Sequence, residues 1–157
     1  MRRILEAVSL LLLVLVWAGT ARAVFGSDPV PARIPIHFDA AGQPDGWATR
    51  GMLWLQPAIA AGIYLLMTLV ARFAATFNFG RGVGQGARRA LEKGALGMIS
   101  WLKVEILMLL AWIQYQTIEF ARRGQGRLSP VFIPVMMVIV FGTIAWHTVA
   151  MRRLGRG

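Results

Sequence analysis

The sequence predicts an all-α membrane protein: four transmembrane helices, with a short extracytoplasmic cap, extended or hairpin-like, between helices 1 and 2. Three observations lead to it. Hydrophobic residues fill 57% of the 157 positions and charged residues only 15%, with a mean hydropathy of +0.58. Four runs, at roughly 4–24, 52–73, 96–118 and 131–151, approach or reach the ~20 mainly apolar residues that a bilayer demands. Between the first two lies a polar island, PARIPIHFDAAGQPDGW, which holds three of the seven prolines and one of the two histidines. The four spans and their connections occupy nearly all of residues 1–157, so the chain is a single integral membrane domain with no separate soluble part.

The first run opens with Arg2 and Arg3 and ends near Ala21-Arg22-Ala23, a pattern shared with secretory signals that are cut after a small residue. Its length and the interrupting Arg22 favour a retained anchor; cleavage after Ala23 would leave three spans. Residues 25–51 follow as the outer segment. Pro31 and Pro35 hold the backbone extended around Arg33-Ile34. Ile34, Ile36 and Phe38 alternate with Arg33, Pro35 and His37, as in a short strand with one apolar face. Asp39-Ala40-Ala41-Gly42 and Pro44-Asp45-Gly46 are turn signals, and Trp47 suits the membrane–water interface.

The second span carries Pro57 in its first turns, where a missing N–H is tolerated, and Ala58 and Gly62 at a spacing that allows close helix approach. The connection FGRGVGQGARRALEKG reads as a flexible turn followed by a short basic helix; its glycines meet neither the dinucleotide nor the Walker spacing. The third span is the least apolar. Lys103, Gln114 and Thr117 fall near one helical face, and Glu105, Trp112 and Gln116 on another. Lys103 and Glu105 lie close enough to the cytoplasmic end for long side chains to snorkel to water. The fourth span begins near Pro130 and Pro134, which permits a kink.

Charge sets the expected orientation. Arg2, Arg3, Arg72, Arg81, Arg88, Arg89, Lys93, Arg152, Arg153 and Arg156 share one side of a four-span chain. Arg22, Arg33, Arg50, Arg122, Arg123 and Arg127 share the other. The bias places both termini in the cytoplasm and the 31–47 segment outside. The net charge of +10 then signifies contact with the bilayer and its anionic lipid headgroups, not nucleic acid, because the cations flank apolar runs instead of striping a soluble fold.

Chemistry is narrowed by what is missing. With no cysteine, disulfides, thiolate catalysis and thiolate-bound metal are excluded. His37, Asp39 and Asp45 suggest a metal site on paper, but one outer histidine and two loop acids fall short of a defined ligand set; turn bonding by the acids and a hydrogen bond from His37 explain them better. A serine-elbow, HExxH pair or paired-carboxylate cleft is absent, so neither an enzyme nor a cofactor is expected.

The island itself resembles a bacterial membrane-protein family, a domain of unknown function shared with the immunity protein for the sporulation-delaying toxin. Its approximate signature, P-x-x-IP-x-HF-x-x-x-G-x-PDGW, is matched by Pro31, Ile34, Pro35, His37, Phe38, Gly42, Pro44, Asp45, Gly46 and Trp47. The third-span text WLKVEILMLLAWIQYQT is similar to that of small four-helix members. The resemblance implies a multi-pass protein of the bacterial plasma (inner) membrane, of an immunity or signalling type, with its first run kept as an anchor. This chain lacks the additional helices of the larger immunity proteins.

The resulting expectation is a non-enzymatic protein whose outer segment, through Pro35, His37, Phe38, Asp39, Gly42, Asp45 and Trp47, binds a peptide or another membrane protein. The alternative is a small transporter or accessory subunit using Lys103, Glu105, Gln114 and Gln116 within the third helix. A metal-dependent envelope enzyme centred on His37 ranks below both.

Overall fold

The computed structural model describes residues 1–73, 84–124 and 131–154. In chain order these form α1 (Arg2–Phe25), β1 (Arg33–Phe38), β2 (Pro44–Thr49), a 3-10 turn (Arg50–Trp54), α2 (Leu55–Arg72), α3 (Gln85–Arg123) and α4 (Phe132–Leu154). Four of the helices are long and apolar enough to cross a membrane, which makes this a multi-pass membrane protein by length and composition.

The third helix differs from its sequence-based outline. A short basic helix followed by a separate span was expected, whereas one helix of 39 residues runs from Gln85 to Arg123. At 1.5 Å per residue it is about 58 Å long, against about 30 Å of hydrocarbon, so its basic first turns extend beyond any span. Gly94 and Gly97 do not break it. A Cβ on Gly94 would lie 2.9 Å from Met151 Cγ, and one on Gly97 would lie 3.7 Å from His147 Nε2, so both glycines serve close packing of α4 on α3. The glycine-rich residues up to 83, together with Arg81, Pro130, Arg127 and Arg156, lie outside the described residues.

α3 is the central helix and packs against α1, α2 and α4, while α4 leans mainly on α3. Trp112 of α3 stacks on Phe132 at 3.8 Å, fixing the start of α4. The helices close with recognisable caps. Gly26 donates to the Arg22 carbonyl at 2.9 Å, and a side chain there would sit 2.4 Å from that oxygen. Gly124 ends α3 in the left-handed region at φ 62°.

The apolar core gathers at one end of the bundle. Ala23 and Val24 of α1, Val30, Ile34 of β1, Leu53 of the 3-10 turn, and Ile118 and Ala121 of α3 form one buried cluster. Trp54 packs beside it and meets Trp17 and Phe25 at ring separations of 5.6 and 6.0 Å. The small sheet is therefore seated on the ends of α1 and α3, and Ile34 is its anchor at 0% exposure.

Candidate functional site

The two strands pair antiparallel, Arg33 opposite Thr49, Ile34 opposite Ala48, Pro35 opposite Trp47, His37 opposite Gly46 and Phe38 opposite Pro44. Ile36 and Asp45 have no residue opposite them, so each strand carries one extra residue. This corrects the simple alternation expected for Ile34, Ile36 and Phe38. A one-residue insertion flips every following side chain to the other face. Ile34 and Pro35 are buried, Ile36 turns outward at 49% exposure, and Phe38 returns to meet Phe120 of α3 edge-on at 5.5 Å.

Between the strands, Asp39 organises the turn. Its Oδ1 accepts from the Ala41 and Gln43 amides at 2.9 and 2.8 Å, and its own amide donates to the Gln43 carbonyl at 2.8 Å. Gly42 sits at φ 77°, a conformation that side chains resist. Asp45, expected to serve a turn in the same way, instead faces His37, with Oδ1 2.5 Å from Nδ1. Gly46 makes that possible: a Cβ there would stand 2.8 Å from the His37 Cβ.

The candidate outer residues thus divide by role. Pro35, Phe38, Asp39 and Gly42 build and seat the hairpin. His37, Asp45 and Trp47 are presented outward, with side-chain exposures of 71% and 49% for the first two and 47% for Trp47 as a residue. Ile36 joins them on the exposed surface, and only the strand insertion reveals it. An exposed imidazole–carboxylate pair adds little to stability, so its value lies in the chemistry displayed: one donor, one acceptor and two apolar side chains on a fixed frame. Among the described residues, no three His, Asp or Glu side chains gather as metal ligands.

The polar residues of α3 are held separately. Lys103, expected to snorkel, is 3% exposed and points into the bundle. Its Nζ lies 2.6 Å from Glu6 Oε2 and 3.1 Å from Thr68 Oγ1, and 4.6 Å from the Tyr64 ring centroid. Tyr64 donates to the other Glu6 oxygen at 2.5 Å. The inward turn has a plain cause: α1 supplies a carboxylate and α2 an aromatic face, and together they replace water around the ammonium. Sequence reasoning did not single out Glu6 or Tyr64, although an acid inside the first apolar run was a usable signal.

Gln114 is equally structural in its contacts, its amide donating to Thr20 Oγ1 at 2.7 Å and to the Leu53 carbonyl at 3.1 Å. It ties α1, the 3-10 turn and α3 together beneath the hairpin. Glu105 faces the opposite way, toward α4, where Thr143 Oγ1 donates to Oε1 at 2.6 Å. Gln116 is partly buried. Lys103 and Glu105 therefore belong to different interfaces. A pocket of about 300 Å³ beside Lys103 is lined by Arg2, Arg3, Arg72 and Ser100.

Comparison with known families places residues 10–61 in the family model described as a domain of unknown function, DUF1648. The matched stretch covers about a third of the chain: most of α1, the whole hairpin, the 3-10 turn and the first part of α2. No curated protein and no solved structure matches the chain.

Proposed function

We propose that this is a non-enzymatic protein of the bacterial plasma membrane that captures a peptide or a neighbouring membrane protein on the outer surface of its hairpin. The observation that carries this reading is the division of labour within the hairpin. Ile34 and Pro35 are fully buried and Phe38 is locked against Phe120, while Ile36, His37, Asp45 and Trp47 stand exposed. A surface ordered in advance avoids much of the entropy that binding otherwise costs. Tryptophan beside polar groups is a frequent anchor at such surfaces.

The orientation follows from charge. Among the described residues, Arg2, Arg3, Arg72, Arg88, Arg89, Lys93, Arg152 and Arg153 lie at or beyond the end of the bundle away from the hairpin, which supports cytoplasmic termini and an external hairpin. The pocket lined by Arg2, Arg3 and Arg72 suits an anionic lipid headgroup on that cytoplasmic side. The likeness of the hairpin sequence to toxin-immunity proteins favours a peptide ligand. Separation of Lys103 from Glu105 weighs against a transporter built on one polar path through α3.

The test is photocrosslinking in native membranes from a probe placed at Ile36. Capture of a discrete partner is expected, reduced at least tenfold by Trp47→Ala and by His37→Ala with membrane insertion unchanged. Equal capture by the wild type and both variants would end this reading.

A further inference from the structure

The side chains of Arg22 and Arg122 take no part in the hairpin or in the packing of the bundle. They stand in the last turns of α1 and α3. The two helices run in the same direction, since Glu6 meets Lys103 and Thr20 meets Gln114. Among the described residues, neither arginine belongs to an ion pair.

A groove of about 360 Å³ leads along the two helices to these arginines. Leu15, Val16 and Gly19 of α1 form one wall, and Ala111, Tyr115 and Ile118 of α3 form the other. From Ala111 to Arg122 the wall is about 16 Å long at 1.5 Å per residue. Gly19 keeps the groove open, because a Cβ there would meet nothing within 4 Å. Leu15 and Tyr115, 56% and 58% exposed, are its rims, so it opens sideways toward the bilayer. Gln114 also lies on the wall, with its amide turned to Thr20 and Leu53. Arg22 and Arg122 line a second, more polar pocket of about 300 Å³ as well, together with Gly26, Ser27 and Asp28. Two acids border this path. Glu119 in the groove is paired with Arg123 at 2.7 Å, and Asp28 offsets one of the two remaining cations. An excess of one positive charge is left.

We propose that the groove and the polar pocket together seat one phospholipid: an acyl chain along α1 and α3, the phosphodiester at Arg22 and Arg122, and a headgroup bearing hydrogen-bond donors beside Ser27 and Asp28. The proposal goes beyond the hairpin reading and does not depend on it. The order of the walls selects this class. A phosphodiester carries the one negative charge that the site calls for, and guanidinium groups hold phosphate oxygens bidentately. A soluble phosphate would leave the apolar groove empty, and a neutral diacylglycerol would leave both guanidiniums unanswered. A fatty acid would fill the groove but bring nothing to Asp28, whose ionised carboxylate only accepts. A glycerol or ethanolamine headgroup supplies the missing donors.

The experiment uses the full chain, stripped of lipid in detergent and titrated with phosphatidylglycerol, with bound lipid counted by native mass spectrometry. One saturable site per chain is expected. Diacylglycerol with the same chains should bind at least tenfold more weakly, the worth of the charge-assisted hydrogen bonds it lacks. Oleate should bind several-fold more weakly. Arg22→Gln combined with Arg122→Gln should cost phosphatidylglycerol at least tenfold on the same ground. Gly19→Leu fills the groove where no neighbour stands, and should weaken binding equally with helix content unchanged. Many equal weak sites in place of one, or diacylglycerol or oleate within twofold of phosphatidylglycerol, would overturn the proposal. So would Gly19→Leu binding within twofold of wild type. If the double arginine variant fails to fold, judged by gel filtration, the lipid series on the wild type and Gly19→Leu decide.

Discussion

Lys103 shows how a charge is kept inside an apolar bundle. The ammonium is 3% exposed, but Glu6 and Thr68 bond it and the Tyr64 ring lies beneath it, so three helices share its cost. Lys103→Met removes the cation and leaves Glu6 with the Tyr64 hydrogen bond and the nearby Arg2. Loss of one partner from a fully buried pair costs about 3–5 kcal/mol. Glu6 is 38% exposed, so the expected loss here is smaller, about 2 kcal/mol. Adding Glu6→Gln should then cost little more, and thermal unfolding of the single and double variants in detergent measures the coupling. Strictly additive losses would show that the two side chains do not act as a pair. Glu105 contrasts with it: both groups sit on α3 within two positions, yet Lys103 is partnered on two sides and Glu105 keeps one buried oxygen without a hydrogen-bond partner among the described residues.

At the scale of elements, the hairpin depends on two glycines for different reasons. Gly42 supplies the positive φ of the turn, whereas Gly46 supplies empty space opposite His37. Gly46→Ala forces a methyl group against a Cβ that cannot swing away, which should cost about 1–3 kcal/mol and part the strands near the His37–Asp45 pair. Faster amide exchange at Ile36 through Gly46, with the helices unaffected, is the expected sign; unchanged exchange would mean that the strands have slack. Much of this element was legible in the sequence, since prolines, turn residues and a greasy strand announce themselves locally. The extra residues at Ile36 and Asp45 were not, because an insertion that shifts register leaves the composition unchanged. The length of α3 was obscured for a related reason. The basic stretch ending at Gly94 was expected as a separate short helix, but the helix continues through Gly94 and Gly97, where α4 packs Met151 and His147 close to them.

The molecule as a whole is a central helix with three others around it and a small sheet seated on one end. The four helices and a small extended segment between the first two were legible from four apolar runs and one polar island, whereas the central place of α3 was not. Pairings such as Glu6 with Lys103, or Gln114 with Thr20 and Leu53, were not, because they join residues far apart in the chain and periodicity records only each helix's own faces. For the hairpin to serve as an external, preformed binding surface, it must first lie on the outer side of the membrane. Because the chain has no cysteine, single cysteines report position cleanly. In intact cells, an impermeant maleimide should label Ala40→Cys at the hairpin tip and should reach Arg89→Cys on the basic start of α3 only after permeabilisation. Labelling of Arg89→Cys in intact cells, with Ala40→Cys protected, would put the hairpin on the cytoplasmic side and rule out an external binding surface.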